Sequence, residues 1–349
     1  MQTGATAQLL QALFGRFVVH FQRGELEAAH EIARKLLRIA DEQRDVAGQV
    51  ASCRTAGAVL FQLGDFAKSR AHLERGLALY NSQRDRGTGS IYAIDSRVVC
   101  LHWLSQGLLS LGHPDQAQVS AEEALAWARE IAHPSSIAHA LCGVSFTYQR
   151  LGRRREAQAE AERLITFARE QGFPLWGAAG LAIHGWALAD EERSEEGIAE
   201  ILRGLADYIA TGAGLWVPDF LALNAEAHGL ARRPDAGLRL VADALGKIRG
   251  GRRWIELELH RLRGELLLAL PDAGAAEAEA CFRHAIAMAS QNSARMLELR
   301  AATSLARLWA QQRRRAEAHD LLAPVYGWFT EGFDTADLKE AAALLDELA

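Results

Sequence analysis

The sequence predicts an all-α solenoid built from helix pairs, and three observations carry that prediction. Small residues form a ladder, Ala29, Ser69, Ala117, Ala157, Gly197, Gly237, Ala278 and Ala318, with successive spacings of 40, 48, 40, 40, 40, 41 and 40. A second ladder, Gly57, Ser105, Ser145, Gly185, Ala225, Gly264 and Ala306, stands twelve residues ahead of the first in the second to sixth repeats. The chain of 349 residues holds only 7 prolines and is rich in Ala, Leu, Glu and Arg, which favours helix throughout. A fixed period of this size marks a stacked array.

The elements follow from these ladders. Each repeat reads as an apolar helical run, a short polar turn and a second run with a small residue near its start, as in LFQLGDFAKSRAHLERGLALY (60–80). Small residues at both ladder points let the two helices approach closely. Gly197 and Gly237 each cost about 1 kcal/mol relative to Ala inside a helix, which a close helix–helix contact offsets. Eight pairs are expected, with turns near 23–25, 63–65, 111–114, 151–154, 190–193, 230–234, 270–274 and 311–314. Neighbouring pairs then bury each other's apolar faces in a right-handed superhelix.

Two stretches depart from the period. The insertion NSQRDRGTGSIYAIDS (81–96) accounts for the single spacing of 48. It is too polar for a buried strand and long for a connector, so it reads either as a lid over the inner surface or as a mobile link. TGAGLWVPDF (211–220) places Trp216 and Pro218 at a helix entrance, where they read as packing residues.

The last residues, GWFTEGFDTADLKEAAALLDELA (327–349), divide the chain into a repeat array over 1–333 and a capping helix over 334–349. Asp334 is placed as its N-cap and Asp337 near the positive end of the helix dipole. Leu338, Ala341, Ala342, Leu345 and Leu348 share one face, which covers the exposed apolar end of the array. Because arrays depend on nearest-neighbour contacts, loss of this helix is expected to loosen mainly the last repeats.

Bulk composition narrows the function. Apolar residues make up 49% and charged residues 24%, with a formal charge of −5, so a folded chain is expected with no general attraction to nucleic acid or anionic membrane. No apolar run approaches the roughly 18 residues of a membrane span, and MQTGATAQLLQ lacks the features of a signal peptide. Cys53, Cys100, Cys142 and Cys281 are too scattered for a metal site or a disulfide framework, and read as buried reduced thiols in a cytoplasmic protein.

Motif detail gives a resemblance. In ACFRHAIAMA (280–289) and just before it, Ala278, Phe282 and Ala285 are placed as in the A-x3-F-x2-A core of the tetratricopeptide repeat. Leu305, Ala306 and Trp309 match its first-helix half, although the period exceeds the usual 34 residues. With LELRAATSLARLW, QGFPLWGAAGLAIHGWALAD and ELHRLRGELLLAL, the chain from about residue 10 to 349 resembles the C-terminal tetratricopeptide region of bacterial regulators that join a nucleotidyl cyclase domain and a signalling ATPase. That likeness implies a sensory or docking region, either excised or separately encoded. Any cyclase or ATPase activity is expected to reside in other domains. LGKIRGG (245–251) lacks the upstream Gly and the hydroxyl residue of a phosphate loop.

No enzymatic constellation stands out. The 12 histidines are scattered without the H-E-x2-H spacing of a zinc site, and Glu258, His260 and Glu265 read as ordinary helix charges. No cofactor or metal is expected. The inner surface is the better candidate. Positions six before, three before and one after the second ladder give His102, Gln106, His139, Cys142, Phe146 and Trp186, then Asp219, Glu226, Glu258, Arg261, Glu265, Arg300 and Arg307. Two readings stay open: a peptide or small-molecule groove with an aromatic anchor, or rings packed between helices with solvated charges beyond them. A rim of turn arginines, Arg23, Arg153, Arg154, Arg155, Arg193, Arg232, Arg233, Arg313, Arg314 and Arg315, reads as a solvated edge. The expected function is a protein- or peptide-binding scaffold, and the alternative is a small-molecule inducer sensor.

Overall fold

The computed structural model of the protein describes residues 2–86, 89–189, 192–248, 253–271 and 274–349. Residues 87 and 88 of the insertion, 190, 191, 272 and 273 of two expected turns, and 249–251 of LGKIRGG lie outside them. Among the described residues every regular element is a helix. The first four pairs are α1 (Gln2–Gln22) with α2 (Leu26–Gln43), α3 (Val46–Gln62) with α4 (Phe66–Leu79), α7 (Ser96–Leu111) with α8 (Pro114–Glu130), and α9 (Pro134–Arg150) with α10 (Arg154–Gln171). Two four-residue helices, α5 (Ser82–Asp85) and α6 (Gly89–Tyr92), occupy the insertion. The later pairs are α11 (Pro174–Leu188) with α12 (Ser194–Ala210), α13 (Val217–Leu230) with α14 (Pro234–Lys247), α15 (Arg253–Leu268) with α16 (Ala275–Gln291), and α17 (Arg295–Gln311) with α18 (Arg315–Tyr326). A single helix, α19 (Ala336–Leu348), follows. The chain is a tetratricopeptide-like α-solenoid of eight pairs and a terminal helix.

Local chemistry sets the helix ends. Pro114, Pro134, Pro174 and Pro234 occupy first helical positions, where a missing N–H is harmless. Within pairs one to four the turn uses a left-handed glycine, for example Gly64 at φ 78° and Gly152 at φ 71°. In pairs six and eight the same position is held by Arg232 at φ 57° and Arg313 at φ 63°. The residue after each donates its N–H back to a helix carbonyl, Asp65 to Leu60 and Arg314 to Trp309, which closes the helix end.

Both small-residue ladders are buried throughout. Ser69 donates its hydroxyl to the Gly57 carbonyl at 2.7 Å, tying the two ladders together in pair two. In pair five the helices nearly touch through their backbones. A Cβ on Gly197 would sit 2.5 Å from the Gly185 carbonyl oxygen, so any side chain there forces α11 and α12 apart.

The superhelix is wound tightly enough that its second turn touches its first. Gly214 and Leu215, entering pair six, both donate to the Gln22 carbonyl in pair one, at 2.8 and 3.0 Å. Phe61 of pair two lies 5.9 Å from Trp254 of pair seven. Gly112 of pair three packs against Arg295 of pair eight and against Trp328. The first pair thus meets the sixth, the second the seventh and the third the eighth. Among the described residues the inner helices of the two turns pack together where an open concave groove was expected.

The terminal segment continues this pattern. Glu331 accepts from the backbone N–H groups of Asp115 and Gln116, at 3.1 and 3.2 Å, and so caps α8 from 215 residues away. Gly332 donates to Asp115, and Asp334 pairs with Arg153 at 2.8 Å. The N-cap of α19 is therefore Thr335, whose hydroxyl accepts from Leu338 N–H, rather than Asp334. Leu338, Ala341, Leu344 and Leu348 form its buried face, while Ala342 and Leu345 are only partly covered. The expected face is correct in direction but rotated slightly toward Leu344.

Candidate functional site

The charged inner residues of the second half converge. Glu258, Arg261 and Glu265 from α15, Arg300, Ser304 and Arg307 from α17, and Asp337 and Glu340 from α19 surround a pocket of about 230 Å³. Gln149 and Gly152 of pair four, Trp186 of pair five and Glu226 of pair six complete its wall. Arg261 forks onto Glu258 at 2.6 and 3.1 Å and reaches Glu265 at 3.5 Å. Arg300 places two nitrogens on Asp337, at 2.9 and 3.0 Å, and donates to the Arg150 carbonyl. Arg307 pairs with Glu340, and Ser304 donates to Glu265.

Electrostatics follow from that packing. Burial alone would raise the Glu258 carboxyl, but Arg261 and Arg300 outweigh it and hold the group down at about 2. Burial likewise opposes charge on Arg261, yet Glu258 and its hydrogen bond raise that group overall. Three arginines face five carboxylates on the pocket wall, Glu226, Glu258, Glu265, Asp337 and Glu340, so the lining keeps a surplus of acceptors. Arg154, expected on the outer rim, instead lies 4.3 Å over the Trp186 ring. It donates to the Trp186 and Ala189 carbonyls and reaches Glu226 at 3.2 Å.

Of the thirteen inner residues singled out in the sequence, Trp186, Glu226, Glu258, Arg261, Glu265, Arg300 and Arg307 border this pocket. Phe146 and Asp219 line a smaller cavity of about 40 Å³ that shares Gln149, Glu226, Glu258 and Arg300 with it. His102 and His139 lie elsewhere, stacked at 4.5 Å inside the first half. Burial, then the neighbouring Arg150 charge, pushes His102 down to about 3, and burial followed by His102 itself pushes His139 well below its usual value. Both are neutral core rings. Asp337, read in the sequence as an acid at the helix dipole, and Glu340 were not among those positions; the packing of α19 against α17 brings them in.

Other candidates fall to structural roles. Among the rim arginines, Arg153 pairs with Asp334, Arg154 with Glu226, Arg193 with Glu196, Arg233 with Glu195, and Arg314 with Glu279 and Glu317. All four cysteines are buried free thiols, and burial raises Cys53 to about 11. Among the described residues no cluster of His, Cys, Asp or Glu is arranged to hold a metal, and no helix is long and apolar enough to cross a membrane.

Comparison with known proteins places the fold. No family profile matches the chain. An uncharacterized protein of Rhizobium meliloti (strain 1021) is 28% identical over 255 residues, which is 72% of this chain and 24% of that protein. The chain therefore spans about a quarter of that relative's length. Among solved structures, a Rap protein complexed with competence and sporulation factor aligns at TM-score 0.61 and 10% identity, over 98% of this chain and 96% of its own. NprR in complex with its cognate peptide NprX aligns at TM-score 0.60 and 10% identity, over 97% and 96%. At such identities the likeness is one of fold.

Proposed function

We propose that this chain is a non-catalytic sensory or docking region that binds a polar segment of a protein or peptide partner in the ionic pocket. The observation that carries the reading is the pocket's construction. Its wall draws on pairs four to eight and on α19, so it exists only while the two superhelical turns are closed on each other. A partner that exchanges hydrogen bonds with Arg261, Arg300 or Glu258 therefore biases the superhelix as a whole, which is how an occupied site becomes a signal. A bound peptide in a structure of similar fold supports this use of the scaffold, as does a relative about four times longer than the matched region. The setting we favour is a regulator that joins cyclase and ATPase domains, in the cytoplasm, with neither nucleic acid nor membrane as partner.

The test is a peptide-array pull-down followed by titration of the captured sequence. Arg300→Ala should weaken binding at least about tenfold, as expected for a desolvated charge contact. The double change Arg155→Glu, Arg313→Glu on the outer edge should alter only its salt dependence. Normal binding by Arg300→Ala, with loss in the outer variant, would sink the reading. A second reading, a small-molecule inducer sensor, is favoured by the enclosed size of the pocket. Metabolite thermal-shift screening without any peptide hit would select it.

A further inference from the structure

A separate cavity of about 100 Å³ lies at the other end of the interior, where α1 and the insertion approach α7 and α9. The rings of Phe14, Phe17, Tyr92, Trp103, Trp176 and Trp216 wall it. Three polar groups also face it. Arg54 is 4% exposed, with its guanidinium 4.7 Å over the Phe14 ring. It donates to the carbonyls of Ile94 and Tyr92, at 2.5 and 2.9 Å, and no carboxylate lies within ion-pairing distance among the described residues. His139, 6% exposed, makes no hydrogen bond within the protein from either ring nitrogen, and Gln22 leaves its buried side-chain oxygen unmet.

Each of these would be costly if permanently unmet, at about 1–3 kcal/mol for a buried polar atom. A neutral imidazole offers one donor and one acceptor, and Gln22 adds an acceptor. The guanidinium is held by two carbonyls and the Ser96 hydroxyl, and the buried Asp95 carboxylate acts on its charge without pairing with it directly. Burial, the largest influence, lowers Arg54 only to about 10, so it remains protonated at neutral pH. The walls suit a flat ring, since aromatic side chains pack ring faces and edges favourably. At about 100 Å³ the space is smaller than the apolar cavity of about 150 Å³ known to admit benzene, so a ring enters only if a wall side chain gives way.

We propose that this cavity binds a single-ring aromatic acid, its ring among the tryptophans and phenylalanines and its carboxylate on Arg54, with His139 and Gln22 serving a further polar substituent. The insertion then has a use. Tyr92 and Ile94 supply both a wall and the carbonyls that aim the guanidinium, so residues 92–94 form one side of the binding site. This proposal is independent of the ionic pocket.

The experiment titrates the full chain with benzoate, benzamide and cyclohexanecarboxylate, reading tryptophan fluorescence and melting temperature. Benzoate should give a saturable change at millimolar concentration, and the other two should bind at least about tenfold more weakly. Arg54→Gln should lose about the same factor for benzoate, whereas the exposed outer-edge change Arg155→Glu should bind it normally. No saturable response to benzoate overturns the proposal. Equal binding of benzamide overturns the role of charge, and equal binding of cyclohexanecarboxylate that of the ring. Loss of benzoate binding in Arg155→Glu overturns the location. Should Arg54→Gln fail to fold, the benzoate-to-benzamide ratio on the unaltered chain still decides the question.

Discussion

Around pairs one to six the inner helices meet mainly through rings, while around pairs seven and eight and α19 they meet through ion pairs. Among the rings Phe21 touches Trp103, Trp103 touches Phe61, and His139 leads through Trp176 to Trp216 at the start of pair six. In the second half Glu258, Arg261, Arg300 and Asp337 form a chain of charges in the corresponding place. Both fill the centre of the same superhelix with the same ladders behind them. Rings give cohesion that does not depend on salt and only weakly on geometry. Largely buried ion pairs add little net stability once their desolvation cost is counted, yet their charges can be taken up by a partner. The same scaffold thus holds itself together at one end and keeps its replaceable contacts at the other.

The largest test of that contrast removes a ring. Trp216 is 5% exposed and contacts Phe146, Trp176, Tyr208 and Phe220. Trp216→Ala should destabilise the protein by about 3–5 kcal/mol in denaturant unfolding. A loss below about 1 kcal/mol would mean that the ring cluster is not what binds the first half.

Acid separates the halves next. The folded values of His102 and His139 lie below the ordinary 6.5. The unfolded chain therefore binds more protons below that value, and stability falls as pH drops from about 6.5 toward 3. His102 alone should remove about 2 kcal/mol by pH 5, at about 1.4 kcal/mol per unit. Glu258, held at about 2, contributes stability above its ordinary 4.5 that is lost only as pH falls from there through 2. Melting curves from pH 8 to 3 should show the histidine phase first, and His102→Gln should flatten it. An unchanged slope between pH 6.5 and 5 in that variant would exclude His102 as its source.

The smallest effect concerns the turns. Arg232 and Arg313 hold the left-handed conformation that glycine holds in the first four pairs. Arg313→Gly relieves that strain but loosens the unfolded chain, leaving a net gain of about 0.5 kcal/mol. A lower melting temperature would show that the Arg313 side chain has a role of its own.

Much of this was legible in the sequence. A period near 40 and two columns of small residues dictate the helix pairs, because close helix approach leaves no other choice at Gly185 and Gly197. The charged set on α15 and α17 was legible because inner positions recur at fixed offsets from the ladder. Most of what was not legible arises from contacts between distant repeats: periodicity carries no pitch, so nothing announced that pair one would touch pair six. Asp337 and Glu340 sit only 37 and 33 residues from Arg300 and Arg307, but they lie beyond the last repeat, where offsets from the ladder mark no inner position. His102, His139 and Phe146 looked like groove residues only while the groove was imagined open. Arg54 carried a faint signal as the lone charge in an otherwise apolar or small inner run, SCRTAGAVLF.

The last twenty residues behave as a clasp. A solenoid held only by stacking stretches one joint at a time, and each joint yields independently. Here Glu331 grips the start of α8, Asp334 grips Arg153 and Arg300 grips the Arg150 carbonyl, so the coil is fastened to its own middle. Such a coil resists elongation until the clasp lets go, and then several joints are freed together. The C-terminal segment, which nearest-neighbour reasoning confines to the last repeats, thereby ties pairs three and four to the end of the array.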